Sequence, residues 1–474
     1  MKNLIILIFL LSSCYGLAQT VTISEGISLR TDDEYDFIGK LKNQYLVFHN
    51  KGTEFEIKAF DKNLKSAWDK EIELEKRRTN VLGIIATRED FSVIYTCRVK
   101  RKLHIMLSRF SPAANLMDTT VIKKYDSQIL TPSFQVIRSE DKKTVLIYEI
   151  EEQKKMKAIA FNLETRKVLW ERMILPEDML YYEKYEQVLI TNHGELFLIL
   201  KKDNKKARKD KHLFQIHLVT ADNSYSFFDI HMKGKLTYDV LFSYDNKNEL
   251  LIAAGLYSEK NRSRANGYYF LSIPPDDHKN YQVVFEAFDE KTLKNIMGKK
   301  ADVKKGLTDL DVQEVVHRHD GGALLIIERN RHLERGGTNN GPAVGYTGGR
   351  SFVDYYYDDV LVVSLHPDGK LHWKNVLHKK QFSQDDKAKF SSYFLLKTPS
   401  SLRFIYNDEV KIENTVSEYV VNGSGEMRRN SILNTDNKKI QLRFVEGLQV
   451  GSNELIVPSI MRSKMKLIRL FFDK

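Results

Sequence analysis

The stretch TVLIYEIEEQKKMKAIAFNLETRKVLWERMIL, from Thr144 to Leu175, decides the fold. An apolar run, TVLIYEI, leads into a turn holding Lys154 and Lys155. A second apolar run, KAIAFNL, ends in the polar turn ETRK, and a more polar segment carries Trp170. Short runs rich in β-branched and aromatic residues, bounded by polar turns, read as antiparallel strands.

The same unit recurs along the whole chain. Its first strands also read QYLVFH, FSVIYTC, ELFLIL, ELLIAAG, GALLIIE, SLRFIY and ELIVPSI; their partners read FEIKAFD, LHIMLSRF, LFQIHLV, GYYFLSI, DVLVVSL, SEYVVNG and KLIRLFF. With Tyr45, Phe91, Thr144, Leu196, Leu250, Ala323, Leu402 and Leu455 as anchors, the spacings are 46, 53, 52, 54, 73, 79 and 53 residues. A period near 52 with two insertions matches four-stranded propeller blades and argues against a pair of β-sandwiches. Segments such as VLGIIAT, SFQVIR, DVLFSY and VQEVVH supply innermost strands, and WDKEIEL, WERMIL and WKNVL supply outer ones. The last pair runs to the end of the chain, while Val21-Thr22-Ile23 is a strand without a partner. Pairing the two removes an exposed sheet edge. The expectation is an all-β chain: one β-propeller over residues 19–474, with eight blades, or seven if one insertion is divided differently, closed by the N-terminal strand.

Three repeats share a further feature. FDKNLKSAW, AFNLETRKVLW and SLHPDGKLHW place Trp68, Trp170 and Trp373 at matching distances after a turn. This pattern resembles the Trp-bearing repeats of PQQ-type propellers, a group that includes quinoprotein dehydrogenases and outer-membrane assembly scaffolds. The resemblance implies a flat ring that opens the outer strand and docks on the next blade, burying about 150–250 Å². The chain departs from the dehydrogenases in having no adjacent Cys pair and in being short. It also resembles exported propellers of Gram-negative envelopes, a likeness that implies no activity.

The N-terminus reads as an export signal over residues 1–18. Lys2 precedes the apolar run Leu4 to Leu11, and Gly16-Leu17-Ala18 supplies small residues for cleavage. Leu11-Ser12-Ser13-Cys14 resembles a lipobox, so a lipid anchor at Cys14 is the alternative. No later segment is long and apolar enough for a transmembrane helix. The expected location is the periplasm or the outer membrane, including the cell surface. Cys14 and Cys97 are the two cysteines, and Cys97 in FSVIYTC reads as a buried apolar residue. Without an intrachain disulfide, stability falls to packing.

In a propeller, the turn between second and third strands shares a face with the blade-to-blade connections. On that face lie Lys201, Lys202, Lys205, Lys206, Arg208, Lys209 and Lys211 in KKDNKKARKDKH, with Arg262, Arg264, Arg331, Arg335 and Arg350. Such a face attracts an acidic envelope protein or an anionic polymer; the bland alternative is lysines that solubilise hairpin tips. Nucleic acid is not expected, because export intervenes and stacking aromatics are missing from the lysine run. The Gly-rich segment Arg331 to Asp354 reads as a long loop, either a lid or a tolerated insertion. His317 and His319 share a strand face that could hold a metal, but HDGG reads first as a hairpin turn. Residues 288–300 read as one short helix. GxSxG, HExxH and Cys–His signatures are missing, so no catalytic residue, cofactor or metal site is assigned. The leading reading is a non-catalytic binding or scaffolding propeller of the cell envelope. The alternative is an exported enzyme acting on an envelope polymer or polysaccharide; a quinone-dependent oxidoreductase is a third.

Overall fold

A computed structural model describes residues 19–30, 33–52, 54–74, 79–126, 131–177, 179–298, 305–335, 352–410 and 414–472; the proposed export segment and Cys14 lie outside them. The chain forms eight antiparallel sheets, seven built from strands adjacent in sequence and the eighth from the last three strands together with the N-terminal segment. In the third, Gln135–Arg138, Thr144–Glu151, Lys155–Asn162 and Lys167–Ile174 run in order from inside to outside. The first strands of neighbouring blades lie against one another around the centre. This is the eight-bladed propeller expected from the spacing.

Burial follows strand position. Second strands are covered by a neighbouring blade on each face, so they are apolar throughout: Leu196 to Leu200 are all buried. Outer strands are half exposed and read as mixed, as in Lys167–Ile174. There is no single core. Eight apolar clusters each join residues of two adjacent blades, the last joining the eighth blade to the first. Cys97 is buried in the cluster between the first two blades with Phe91, Val93 and Tyr95.

The inner strands carry a device that the repeat did not reveal. Six contain a bulge, before Gly39, Gly83, Gln187, Asp239, Glu314 and Gly451. A bulge bends and twists a strand, which suits strands crowded around an axis. The polar residues at these positions bond to the next blade. Gln187 donates to the Phe242 carbonyl and accepts from its N–H, both at 2.8 Å, and Asp239 accepts from the Val312 N–H at 2.6 Å.

The three tryptophans occupy one structural position. Each follows a bulge in an outer strand and pairs with a small residue: Trp68 with Ala59, Trp170 with Ala160, Trp373 with Ser364. Trp170 Nε1 donates to the Gly194 carbonyl at 2.7 Å, and Trp373 Nε1 to the Gly423 carbonyl at 3.0 Å, each in the next blade. Gly425 lies so close to the Trp373 ring that a Cβ there would sit 2.6 Å from Cδ2. Trp68 instead donates to Gln44 of its own blade, at 3.3 Å.

The N-terminal strand closes the ring. Thr20–Ile23 pairs antiparallel with Lys464–Phe471, Val21 opposite Leu470 and Ile23 opposite Ile468. Val21 and Ile23 pack on the cluster between the seventh and eighth blades. Glu454 of the eighth blade is buried and takes bonds from Lys40 (2.8 Å) and Tyr45 of the first blade, and from Arg469. Burial would push its carboxyl up; these donors bring it below the usual range. Deleting residues 19–24 uncovers Ile468 and Leu470 and frees an edge strand. The expected loss is about 3 kcal/mol from two apolar side chains, with concentration-dependent association. Urea unfolding and light scattering test this; an unchanged midpoint and a monodisperse monomer would show the strand to be dispensable.

Candidate binding face

The lysine-rich turn of the fourth blade is built rather than loose. Strand Leu196–Lys202 ends at Asp203, which adopts a left-handed backbone (φ 53°), and Lys206–Lys211 forms a 3₁₀ turn. The two residues bracketing the lysines are buried. Asn204 donates from Nδ2 to the Thr237 carbonyl (2.8 Å) and accepts from the Thr237 N–H (3.0 Å). His212 donates from Nδ1 to the Lys202 carbonyl and accepts at Nε2 from the Thr237 hydroxyl, both at 2.8 Å. Thr237 belongs to the innermost strand of the fifth blade, so both ends of the turn are fastened to the neighbouring blade. The connection between these blades lies against it: the Met232 N–H donates to the His212 carbonyl at 3.2 Å, and a Cβ on Gly234 would lie 3.1 Å from the Asp210 carboxylate.

This anchoring gathers cations. Lys201 pairs with Glu186 (2.8 Å), Arg208 with Asp203 (2.7 Å) and Lys235 with Glu259. Lys202, Lys205, Lys206, Lys209, Lys211, Lys233 and Arg262 have no ion-pair partner among the described residues. Elsewhere on this face Lys51 pairs with Glu56, Lys102 with Asp126, and Lys155 with Glu151, while Lys100, Arg101, Lys154, Lys260, Arg462 and Lys464 have no ion-pair partner among the described residues. Arg264 turns toward the Gly306 carbonyl (3.5 Å). The positive character expected for the whole face is thus spread over several blades and densest at the lysine turn of the fourth.

The sixth blade corrects one expectation. Residues 331–354 are not wholly a loop: strands Ala323–Arg335 and Phe352–Leu365 continue outward as a paired arm, with Tyr355, Tyr356 and Tyr357 inside the second strand. The sequence looked loop-like because its polar residues face solvent. A further strand, Gln381–Gln384, adds to the arm. Arg331 lies over the Tyr356 ring (4.8 Å), Tyr356 packs on Phe382 (5.1 Å), and Arg335 pairs with Asp354 (2.6 Å). The segment 336–351, with Arg350, lies outside the described residues. At the base of the arm, fully buried Glu328 meets Lys379 at 2.6 Å and accepts from Ser392 at 2.6 Å.

His317 and His319 both turn to the fifth blade. His317 Nε2 is 2.7 Å from Ser243 Oγ, and His319 Nδ1 accepts from Lys247 at 2.9 Å. Among the described residues no three His, Cys, Asp or Glu side chains gather as a metal site. The predicted short helix spans Glu290–Met297, packed by Leu293 and Ile296. A polar cleft of about 1200 Å³ opens between the sixth and seventh blades. Of its carboxylates, Asp359 lies 3.1 Å from His378 and Asp408 pairs with Arg429, while Asp358, Glu409 and Asp436 also line it.

Two predictions follow from these buried groups. Lys379→Met strands the Glu328 carboxylate and costs about 3–5 kcal/mol; a urea midpoint matching the parent chain would refute it. Burial pushes His212 and His217 down to about 4 from the ordinary 6.5. A lowered folded-state value means their stabilisation is complete above 6.5 and is lost as pH falls toward 4. Burial pushes Asp239 up to about 6, which acts oppositely and offsets part of one histidine. Stability should therefore fall between pH 6.5 and 4, at up to about 1.4 kcal/mol per pH unit for each uncompensated group. The variant His212→Gln with His217→Gln should flatten that slope; an equally steep slope would assign it to other groups.

No family model matches the chain, and no curated protein matches it. Solved structures resemble it in fold. An uncharacterised protein of Listeria monocytogenes is 9% identical, with 83% of this chain and 95% of that one covered, at a TM-score of 0.40. A europium-containing methanol dehydrogenase is 11% identical over 93% and 85%, at 0.37. The β-propeller domain of the trilobed protease of Pyrococcus furiosus is 10% identical over 86% and 97%, at 0.35.

Proposed function

We propose that the chain is a non-catalytic binding or scaffolding propeller of the cell envelope that holds an anionic partner on its basic face. The observation that carries this reading is the lysine turn fastened at both ends by Asn204 and His212 to Thr237. Lysines serving only solubility need no fixed position. Lysines held over a neighbouring blade present a standing positive field, which draws a polyanion or an acidic protein and weakens as salt rises. The export segment read at residues 1–18 places the partner in the periplasm or at the outer membrane, with a lipid at Cys14 as the alternative tether.

Charge reversal tests the face. Lys205→Glu, Lys206→Glu and Lys209→Glu together should weaken retention on immobilised polyglutamate at least about tenfold at low salt. Lys62→Glu with Lys65→Glu, in a turn on the opposite face, should leave it unchanged. Equal losses in both variants would reduce the effect to net charge and remove the proposed site.

A further inference from the structure

The face that carries the lysine turn also carries apolar side chains in solvent. One group lies on the connection from the third to the fourth blade: Leu175 is 64% exposed, Leu180 42% and Tyr182 80%. This connection is held in place. The Tyr181 N–H donates to the Gln153 carbonyl at 3.0 Å, and the Tyr181 ring packs 4.6 Å from that of Tyr185. The helical turn Tyr181–Lys184 lies against strand Leu196–Lys202, whose end begins the lysine turn. A second group stands on the arm of the sixth blade, where Leu333, Phe352 and Phe382 are exposed. The cations of the fourth and fifth blades lie between the two groups in ring order.

A soluble polyanion is read by charge alone and gives exposed Leu, Tyr and Phe nothing to bury. An anionic bilayer presents a charged plane above a hydrocarbon layer. Lysines meet the first; leucine and aromatic side chains enter the second, with the Tyr hydroxyl left at headgroup depth. Resting on the reading of this face as an anion-binding surface, we propose that its partner is an anionic lipid bilayer, against which the disk lies with Tyr182 and Phe382 as apolar prongs on either side of the Lys205–Lys211 patch. The net charge of +11 adds long-range attraction to the same surface.

The test uses residues 19–474, which hold every blade and the closing strand but not the apolar run Leu4 to Leu11. Sedimentation is followed with phosphatidylcholine vesicles, with phosphatidylcholine vesicles carrying about one-third phosphatidylglycerol, and, for comparison, retention is measured on polyglutamate. The protein should pellet with the anionic vesicles and not the neutral ones. Lys205→Glu with Lys209→Glu should weaken both anionic interactions. Tyr182→Ser with Phe382→Ser should weaken vesicle binding about tenfold and leave polyglutamate retention unchanged. Both prongs are exposed, so an unshifted thermal midpoint will show that this variant is folded. Retention on polyglutamate without vesicle binding would overturn the membrane inference, assign the face to an acidic protein or soluble polymer, and leave the anion-binding reading standing. Vesicle binding indifferent to the prong variant would also overturn it. Binding to neither ligand would remove both readings together.

Discussion

The structure depends on a constraint of closure. No blade has an interior of its own, since each apolar cluster is shared by two neighbours. A blade is therefore stable only if both flanks are covered, and a row of blades is stable only if its ends meet. Residues Thr20–Ile23 make that meeting, as the outer strand of a sheet whose other strands come from the far end of the chain. Gln19 reaches Glu418 of the seventh blade at 3.4 Å, and Arg403, which holds Glu418, lies 4.7 Å over the Phe472 ring. The first and last described strands are thus tied into the ring, where an open solenoid would fray.

Closure also decides where function can reside. Second strands, and most of the third strands, are consumed in packing, so their side chains cannot vary without opening a cavity or burying a charge. What remains are turns, blade connections and outer rims. The basic turn, the arm and the exposed Leu180–Tyr182 connection are all of this kind. Each is tied down by groups that the packing leaves over: Asn204 and His212 for the turn, Glu328 and Lys379 for the arm, the Gln153 carbonyl for the connection.

The parts legible in the sequence are those fixed by burial on both faces. Runs such as ELFLIL and ELLIAAG announce themselves because nothing polar is tolerated between two blades, and their spacing counts the blades. The tryptophans were readable because a turn of set length precedes each. The bulges before Gln187 and Asp239 were not, because a single extra residue in strands of six and ten residues leaves no periodic trace. The clamp by Asn204 and His212 was hidden inside a run that looks like a solubilising tip, although a buried-type His ending a lysine run was a usable signal. The arm was misread because the end of its first strand, Arg331 to Arg335, is exposed throughout and loses the apolar pattern that marked the others.

The lysine turn separates a decorated surface from a working one. Packing Lys202, Lys205, Lys206, Lys209 and Lys211 around one short turn raises self-repulsion, which screening by water and salt only reduces. A chain needing solubility alone can pair such charges, as Lys51, Lys102 and Lys155 of other blades are paired. Here the repulsion is held in place by three hydrogen bonds to Thr237, two of them from an amide that mimics a strand. The His212 ring that completes the clamp must stay neutral to accept from the Thr237 hydroxyl, and burial keeps it so, with Lys201 and Arg262 adding to the same effect. A backbone held at both ends gives up little further freedom when an anion arrives, so more of the attraction survives as affinity. That is the physical sense in which the turn is preorganised for a negatively charged partner.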